Sequence, residues 1–476
     1  MNRATLALAC TAPLCAALLA TALPAHAAER SAGSGSYDSY DSYDSYGTKA
    51  SYTPQQSPRG YQQPPKGFVP VFTENVSRHG SRAATDSSDG DLILKLWDQA
   101  ASEGQLTARG KEFGPKVRAL LNAMAEVGYG NLSGRGKSEI AGTAVRMEKR
   151  LPGLFAGIAK NGEKIDVVSS GQGRAVDSGK LFADTLAAAD PALEPLIGPA
   201  RTDKDLLYFH KAAGGAAYRD YIANDQRLAS TLASITDQPK THRAASDVLR
   251  KIFKKPFVQR IVDGEFAAGV GSAVDAAEAV YNLYGIAPAM SAESPGGKGW
   301  HMDRYISQRD AAWFGYLSDA EDFYEKGPGF TGSDITYKMA GVLLDDFFKK
   351  AETAGNSAPG PNTLGAELRF THAEEIIPLA ALMGLPGSTQ GATPERPYTY
   401  GDNPWRGAAV APMASNIQWD VFRKSDTTLD TTLGTTLVRM LYNEKETAFK
   451  AGCRPVAKGS KFYALDELER CFARTS

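Results

Sequence analysis

The pattern of apolar and polar positions changes its period along the chain and predicts both strands and helices. Residues 68–77, 164–169 and 367–371 are short runs rich in β-forming side chains, so each is predicted to be a strand. Residues 91–101 and 373–383 instead place apolar side chains at helical spacing. The chain therefore mixes strands with helices from its first third to its last.

Two further helices are predicted from their first residues. Thr107 precedes a helical pattern that runs through Leu121, and Ser133 precedes one that runs through Leu151. In each case the hydroxyl can accept a hydrogen bond from the free amides of the first turn. We expect both residues to be N-caps.

Residues 201–355 differ from the rest because they are rich in Ala, amphipathic and poor in strand-like runs, as at 267–284 and 335–354. Strand-like runs come before and after this block. We therefore expect an α/β fold in which a core made of 67–200 and 356–476 is interrupted by a mainly α-helical inserted domain.

The segment before residue 67 has low complexity. It contains the repeat SYDSYDSYDSYG and is then dominated by Pro, Gln, Gly and Ser. Such a composition offers no aliphatic side chains to bury, so we expect residues 28–66 to form a disordered tether. A specific binding role for the repeated tyrosines is the alternative.

The first 27 residues have the layout of a secretory signal peptide. Arg3 supplies a positive start, residues 4–23 are nearly all apolar, and Ala25-His26-Ala27 fits a cleavage site. We predict cleavage after Ala27 and a protein that is secreted, periplasmic or held at the cell surface. An uncleaved signal anchor is the alternative.

Composition excludes two large classes of protein. The 476 residues carry 53 Lys and Arg against 54 Asp and Glu, for a formal net charge of −1, which argues against binding nucleic acid by bulk charge. Mean hydropathy is −0.31, and the one long apolar run is the N-terminal one. We therefore expect no membrane span in the mature chain.

The cysteines point to one disulfide. Cys10 and Cys15 leave with the signal peptide, whereas Cys453 and Cys471 remain near the C-terminus. In an exported chain two cysteines form a disulfide more readily than they stay free. No spacing of Cys or His suggests a metal site, so no cofactor is expected.

The motif Arg78-His79-Gly80-Ser81-Arg82 follows the first predicted strand and precedes a helix or turn. A neutral imidazole is a nucleophile when its other nitrogen is held by a hydrogen bond. Guanidinium groups match phosphate oxygens, and a helix start would add amide donors. The arrangement suits attack by His79 on phosphorus with Arg78 and Arg82 neutralising the oxygens; a surface basic turn is the alternative.

Two other strand ends carry matching residues. Arg174 follows the strand at 164–169 and would bring a third guanidinium to the same edge of the sheet. His372 follows the strand at 367–371 and can donate to a phosphate oxygen. Glu374, at the next helix start, could protonate a leaving oxygen, provided that it holds its proton more strongly than a free Glu. Each piece alone also fits an ordinary turn or helix start.

Together these motifs resemble the histidine acid phosphatases, the second branch of the histidine phosphatase superfamily. The sequence His372-Ala373-Glu374, where most of that branch has His-Asp, resembles the multiple inositol polyphosphate phosphatases. Ser415 departs from the Ala that is usual there. Further similar stretches are YEKGPG at 324–329, APMASNI at 411–417 and VRMLYNE at 438–444.

The resemblance implies a phosphoglycerate-mutase-like α/β core and a two-step reaction on phytate and lower inositol phosphates. It implies that His79 forms a phosphohistidine and that Glu374 protonates the leaving oxygen. Phosphate would be bound by Arg78, Arg82, Arg174 and His372, with Lys326 as a further candidate from the insert. We expect a monomer that needs no metal.

Three other functions fit parts of this pattern. A broad-specificity acid phosphatase of the same fold would act on sugar phosphates or phosphorylated glycolytic intermediates. A phosphoglycerate mutase fits less well, because the chain is long and carries an export signal. A non-catalytic surface protein could use the same fold to capture phosphorylated ligands.

Overall fold

A computed structural model describes residues 45–425 and 436–474. The predicted signal peptide and residues 28–44 of the predicted tether lie outside these ranges. Everything described below belongs to the compact unit Tyr37–Ser476.

One mixed sheet organises the fold, in the order β3-β2-β4-β1-β5-β6-β7, with β8 paired to β6. Its strands are β1 Phe68–Arg78, β2 Lys164–Ser169, β3 Arg201–Thr202, β4 Leu364–Thr371, β5 Asn416–Lys424, β6 Thr436–Tyr442, β7 Lys445–Thr447 and β8 Phe462–Ala464. The first four run parallel, and the pairs made by β5 to β8 are antiparallel. The carboxyl ends of β1, β2 and β4 therefore lie at one edge.

Helices make up most of the remaining chain. The α-helices are α1 Ser88–Ser102, α2 Ala108–Val127, α3 Gly134–Arg150, α4 Pro152–Asn161, α5 Gly173–Ala189, α6 Lys204–Leu207, α7 Ala216–Asn224, α8 Gln226–Thr236, α9 Pro239–Ile252, α10 Lys255–Val262, α11 Ala267–Val270, α12 Ala273–Ile286, α13 Gln308–Glu325, α14 Gly341–Asn356, α15 Ala373–Leu382, α16 Gly407–Val410 and α17 Leu465–Cys471. Short 3-10 helices are Gly47–Lys49, Pro58–Gly60, Pro191–Leu196, Ala213–Gly215, Ala287–Glu293, Pro295–Gly297, Met302–Arg304 and Lys338–Ala340. Thr107 and Ser133 accept bonds from the amides of Gly110 and Gly136, so both predicted N-caps are confirmed.

The sheet is covered on both faces, which explains why its parallel strands are almost continuously buried. Helices α3, α4 and α5 pack on one side, where Val167, Leu368 and Phe370 belong to their core. Helices α14 and α15 pack on the other side against β1 and β5. The expected α/β core with a mainly α-helical insert is present.

The insert differs in detail from the prediction. It is helical from α6 to α14, but the predicted helix at 267–284 is broken at Gly271, where φ is +77° and Ser272 caps the next helix. Helices α1 and α2, predicted as part of the core, pack against α9 and α12 of the insert. Their apolar faces, including Ile93 and Phe113, continue the core of the helical layer.

The segment 45–66 is ordered, so the expectation of a disordered tether is wrong over these residues. Tyr52 is buried, its hydroxyl donates to Glu444 at 2.8 Å, and its amide donates to Glu139 at 3.2 Å. Tyr46 stacks on Tyr284 with ring centroids 5.0 Å apart. Aromatic side chains and buried hydrogen bonds replace the aliphatic contacts that the composition lacks.

The C-terminus is tied down as expected. A disulfide joins Cys453 to Cys471, with Cα atoms 5.2 Å apart, which confirms the predicted pairing. Cys471 is the last residue of α17, so the bond fastens that helix to the loop at Cys453. Among residues 45–425 and 436–474, no helix is long and apolar enough to cross a membrane.

Candidate active site

Three strand ends converge because β4 lies between β1 and β2. Arg78 is opposite Thr371 in the ladder of β1 with β4, and Ser169 is opposite Phe370 in that of β2 with β4. The next residues along each chain therefore meet. The rings of His79 and His372 lie 5.3 Å apart, edge to face.

The loop after β1 is held against the start of α3. A Cβ on Gly80 would lie 2.5 Å from the carbonyl oxygen of Gly136. The loop and the helix start can therefore approach each other this closely only because both residues are glycines. Ser81 donates to Glu139 from its amide at 2.8 Å and from its hydroxyl at 2.9 Å. The helix considered possible directly after the motif begins only at Ser88. These contacts fix the backbone around His79.

The hydrogen bond of His79 defines its tautomer. Its Nδ1 lies 2.9 Å from the carbonyl oxygen of Gly80. A carbonyl only accepts, so the proton is on Nδ1 and the lone pair is on Nε2. The pKa of His79 lies well below its usual value because of burial and the charges of Arg78, His372, Arg82 and Arg174. His79 is thus a neutral imidazole with a free Nε2.

Towards the site His372 presents Nδ1, whereas His79 presents Nε2. Its Nε2 lies 2.8 Å from the hydroxyl of Ser170, which also accepts a bond from the amide of Gln172 at 3.3 Å. The Ser170 hydroxyl can donate to Nε2 of His372, and in that tautomer the His372 proton is on Nδ1. That Nδ1 is buried and has no partner among the described residues. Burial foremost, and then Arg174, lower the pKa of His372 to about 3.

Three guanidinium groups surround the same point. The Nε atoms of Arg78, Arg82 and Arg174 are buried and have no hydrogen-bond partner in the described part of the chain. Arg78 is held by bonds from Nη1 to the carbonyl oxygens of Thr48, at 2.5 Å, and Ala411, at 2.6 Å. Burial lowers the pKa of both Arg78 and Arg82 to about 10, so they stay charged. Together with Nδ1 of His372, these donors fit a tetrahedral oxyanion.

Glu374 is in the first turn of α15. The sequence argument requires a raised pKa for this carboxyl, whereas the structure lowers it. Burial raises it, but the charge of Lys326, a bond from its own amide, His372 and Arg78 together lower the pKa to about 2. The carboxyl is therefore ionised in the free enzyme. A bound phosphate would raise its pKa, since a nearby anion favours the neutral acid.

Lys326 links Glu374 to the N-terminal segment. Its Nζ donates to Asp322 at 2.5 Å, and Asp322 accepts a second bond from the hydroxyl of Thr48 at 3.0 Å. Burial opposes the charge of Lys326, but Asp322 and Glu374 outweigh burial and raise its pKa. Lys326 therefore stays charged.

A cavity of about 370 Å³ opens above these groups. The sequence-predicted residues Arg78, His79, Arg82, Arg174, Lys326 and Glu374 line it. So do two residues that the sequence analysis missed, Thr48 and Lys49, because they lie in the presumed tether. The one feature of the sequence that could have indicated them is that the Ser-Tyr-Asp repeat ends at Gly47, directly before these two residues.

A second cavity, of about 420 Å³, shares Arg174, Lys326 and Glu374 with the first and is also lined by His372. All six predicted polar groups of the site, and Lys326, thus border one or both cavities. Within the described ranges, no three His, Cys, Asp or Glu side chains cluster so that they could hold a metal ion.

A family model described as the histidine phosphatase superfamily (branch 2) matches residues 72–443. Human multiple inositol polyphosphate phosphatase 1 is 23% identical over 400 residues, which cover 79% of this chain and 74% of the human protein. The chicken protein of the same name is 24% identical over 170 residues, 35% of this chain and 37% of the chicken protein.

Solved structures are similar as well. The multiple inositol polyphosphate phosphatase of Bifidobacterium longum in complex with inositol hexasulfate is 32% identical, with a TM-score of 0.82. The match covers 91% of this chain and 98% of that one. The same enzyme in complex with phosphate is 33% identical with a TM-score of 0.84, over 90% and 97% of the two chains.

Proposed function

The chain belongs to the histidine phosphatase superfamily (branch 2), and from this premise we propose that it removes phosphate groups from phytate and lower inositol polyphosphates through a phosphohistidine. The observation that carries the proposal is the free Nε2 of a neutral, buried His79. The site around it also holds buried nitrogens of Arg78, Arg82, Arg174 and His372 that have no hydrogen-bond partner in the described part of the chain. A nucleophile inside a ring of donors for equatorial oxygens is what phosphoryl transfer needs.

In the first step, Nε2 of His79 forms a bond to phosphorus while the ester P–O bond on the opposite side breaks. The electron pair of that bond goes to the leaving oxygen, which takes a proton from Glu374. The bond from Nδ1 of His79 to the Gly80 carbonyl stabilises the positive charge that develops on the imidazole.

In the second step, water attacks the phosphohistidine and transfers a proton to the Glu374 carboxylate. The P–N bond breaks, its electron pair returns to Nε2, and inorganic phosphate leaves. Glu374 is then again an acid beside an anion, ready for the next ester. The acid and base roles alternate on one residue because the carboxyl lines the space where both oxygens must stand.

A substrate with many phosphates is favoured over a simple phosphomonoester by the walls of the two cavities. The first contains Lys49 together with the carboxylates of Asp86, Asp89 and Asp322, and the second adds Lys211 and Arg219 to the catalytic cations. These groups exceed what one phosphate needs. The related enzyme of Bifidobacterium longum binds inositol hexasulfate, an analogue with six anionic groups.

The test is phosphate release from inositol hexakisphosphate, measured with EDTA present, by the wild type and by His79→Ala. Progressive release by the wild type alone is the expected result. Release from sugar phosphates without release from the hexakisphosphate would instead favour the broad acid phosphatase. Binding of the hexakisphosphate without any release would leave only the non-catalytic binding protein.

We also propose that the protein is exported and acts as a monomer. The proposal of export rests on the sequence of residues 1–27, which lie outside the described ranges. Mass spectrometry of the protein from the culture medium or periplasm should give an N-terminus at Ala28, and light scattering should give the mass of one chain. An intact Met1 in a membrane fraction would contradict cleavage after Ala27 and favour the uncleaved signal anchor, whereas recovery from the cytoplasm would contradict export.

A further inference from the structure

Glu375 is a buried carboxyl group that the reaction described above does not use. It follows Glu374 in the first turn of α15, but its side chain is fully buried and lines neither cavity. Its partner is His210, a buried histidine of the loop after α6. Burying such a pair is costly unless it is hydrogen-bonded, so its contacts show what it holds.

The contacts of Glu375 require it to carry a proton. The hydroxyl of Thr371 lies 2.6 Å from the carbonyl oxygen of Leu207 and 2.8 Å from Oε2 of Glu375. Each of these two contacts needs a proton between its oxygens, and the hydroxyl has only one. The carbonyl cannot donate, so Thr371 donates to Leu207 and Glu375 donates to Thr371. Oε1 of Glu375 then accepts from Nδ1 of His210, at 2.6 Å, and the four residues form one hydrogen-bonded network.

On one side the network holds the residues that do the chemistry. Thr371 is the last residue of β4, and its carbonyl oxygen accepts a bond from the amide of His79 at 2.9 Å. His372 follows Thr371 directly, and Glu374 shares the first turn of α15 with Glu375. The side chains of Thr371 and Glu375 therefore fix the backbone that carries the distal histidine and the acid.

On the other side the network holds the start of the insert. Leu207 is the last residue of α6, so the Thr371 hydroxyl fastens the end of that helix to the sheet. The ring of Tyr208 packs edge to face on His210, with centroids 4.6 Å apart, and on His372, at 5.4 Å. A shift of His210 would therefore be passed to the ring of His372.

The ionised form of Glu375 cannot keep all of these bonds. Once Glu375 is a carboxylate, one hydroxyl proton remains for two acceptors, the Leu207 carbonyl and Oε2, so one of the two contacts opens. Burial raises the pKa of Glu375 to about 7 against the bond and charge of His210, with Glu374 adding to the rise and Thr371 opposing it. The protonated, fully bonded form is therefore the main one in mildly acidic solution.

Most charges on the elements around α15 have partners of their own. The helix packs on β1, α14, α16 and the 3-10 helix Lys338–Ala340. Arg78 of β1 is bonded to carbonyl oxygens. The ion pairs of these elements are Glu74 and Asp346 with Arg369, Lys350 with Glu367, Asp345 with Arg474 and Lys338 with Asp334. The titratable groups that act on Glu375 are His210 and Glu374, and Glu375 in turn acts on Tyr208.

We propose that Glu375, in its protonated form, is a positioning residue for the phosphoryl transfer, and that through Thr371 and His210 it holds His372 and Glu374 where they meet the substrate. The inference rests on the proposed function, because the groups positioned are those of that reaction. The anion site is fully assembled only while this buried acid keeps its proton. Loss of the proton therefore weakens anion binding to the free enzyme but leaves kcat unchanged, since a bound anion favours the neutral acid.

The first test compares two substitutions at about pH 6. Glu375→Gln has an amide that donates to Thr371 and an oxygen that accepts from His210, so kcat for inositol hexakisphosphate should stay near the wild-type value. Glu375→Met fills a similar volume without any hydrogen bond, and kcat should fall about 10²-fold at a similar melting temperature. Glu126→Met, at an exposed position of α2 that lines neither cavity, is the matched control and should keep kcat.

The second test is the Kd of inositol hexasulfate at about pH 6 and about pH 9, on either side of the pKa of about 7. Sulfate esters do not titrate in this range, so a change in Kd comes from the protein. The Kd at the higher pH divided by that at the lower pH should be about tenfold larger in the wild type than in Glu375→Gln, the usual effect of one hydrogen bond to a charged group. The other titrating groups are the same in both proteins and cancel.

Equal Kd ratios in the wild type and Glu375→Gln would overturn the proposal. So would normal kcat in Glu375→Met, because Glu375 would then act by its charge alone. If Glu375→Met does not fold, the Kd ratio decides. If the wild type releases nothing from the hexakisphosphate, the proposed function fails, and the Kd ratio still decides whether the proton on Glu375 holds the anion site together.

Discussion

The carbonyl oxygen of Thr48 accepts a hydrogen bond from Nη1 of Arg78 at 2.5 Å, so a residue of the Tyr-rich N-terminal segment orients a guanidinium of the catalytic centre. The hydroxyl of the same Thr48 binds Asp322, which in turn holds Lys326 beside Glu374. One residue therefore supports both the phosphate-binding side and the acid side of the site. The segment is a structural part of the active site.

Shortening the N-terminus should separate two parts of this segment. A chain that begins at Ser45 retains Thr48 and Lys49 and should keep the activity of the mature protein. A chain that begins at Thr53 should lose about 10²-fold or more in kcat/KM, the cost of misplaced catalytic groups. Phosphate release from p-nitrophenyl phosphate measures both, with the melting temperature recorded to confirm folding.

Full activity in a folded chain that begins at Thr53 would contradict this prediction. The segment would then have no part in catalysis, as a disordered tether would have none.

Replacing the nucleophile should stop the reaction on every substrate. His79→Ala removes the one nitrogen that can attack phosphorus, and we expect a loss of about 10⁴-fold or more in kcat with a similar melting temperature. His242→Ala, which removes an exposed histidine paired with Asp237, is the matched control and should keep full activity. Near-normal turnover by His79→Ala would exclude the phosphohistidine.

The acid role of Glu374 should depend on the leaving group. Glu374→Gln cannot supply a proton, so kcat for inositol hexakisphosphate should fall by about 10²–10⁴-fold. The loss should be far smaller for p-nitrophenyl phosphate, whose phenolate leaves without protonation. Equal losses on both substrates would remove Glu374 from this role. The control is Glu321→Gln, at an exposed position of α13, which also removes one negative charge.

The local sequence was sufficient to predict the strands that carry the site and the functional residues at their ends. The strand predicted at 164–169 has those same limits, and His79, Arg174 and His372 meet because parallel strands end at one edge. Such features depend on short-range patterns, and the sheet then brings them together.

Contacts between distant parts of the chain were not predictable in the same way. Lys49 lines the cavity in a segment that is held by Tyr46, which stacks on Tyr284 of α12, and by the buried Tyr52, which donates to Glu444. The pKa of Glu374 depends on Lys326, about fifty residues earlier, so its ionised state could not be inferred from the His-Ala-Glu motif. In both cases the deciding partner is far away in sequence and lies in a segment of different composition.

A buried charge cluster on β5 and β6, closed by the last residue of α3, should matter for stability. Asp420 is fully buried and pairs with Arg150 at 2.9 Å and with Arg439 at 2.8 Å. Asp420→Ala leaves two buried guanidinium groups short of a partner, so the free energy of unfolding should fall by about 3–5 kcal/mol in urea denaturation. Asp334→Ala, which breaks an exposed pair with Lys338, should cost no more than about 1 kcal/mol; similar losses in the two variants would contradict the argument.

The pH dependence of turnover should move when Lys326 is replaced. Lys326 is the strongest of the charges that lower the pKa of Glu374. Without this positive charge the protonated acid is favoured, the pKa rises, and Glu374 keeps its proton to higher pH. In Lys326→Met the alkaline limb of the kcat profile for inositol hexakisphosphate should therefore shift upward by about one pH unit or more.

Two comparisons assign that limb to Glu374. Lys338→Met, at an exposed lysine outside both cavities, should leave the limb in place. Glu374→Gln/Lys326→Met should lack it altogether, because no titrating acid remains at that position. A limb that stays fixed in Lys326→Met, or moves to lower pH, would show that a different group donates the proton to the leaving oxygen.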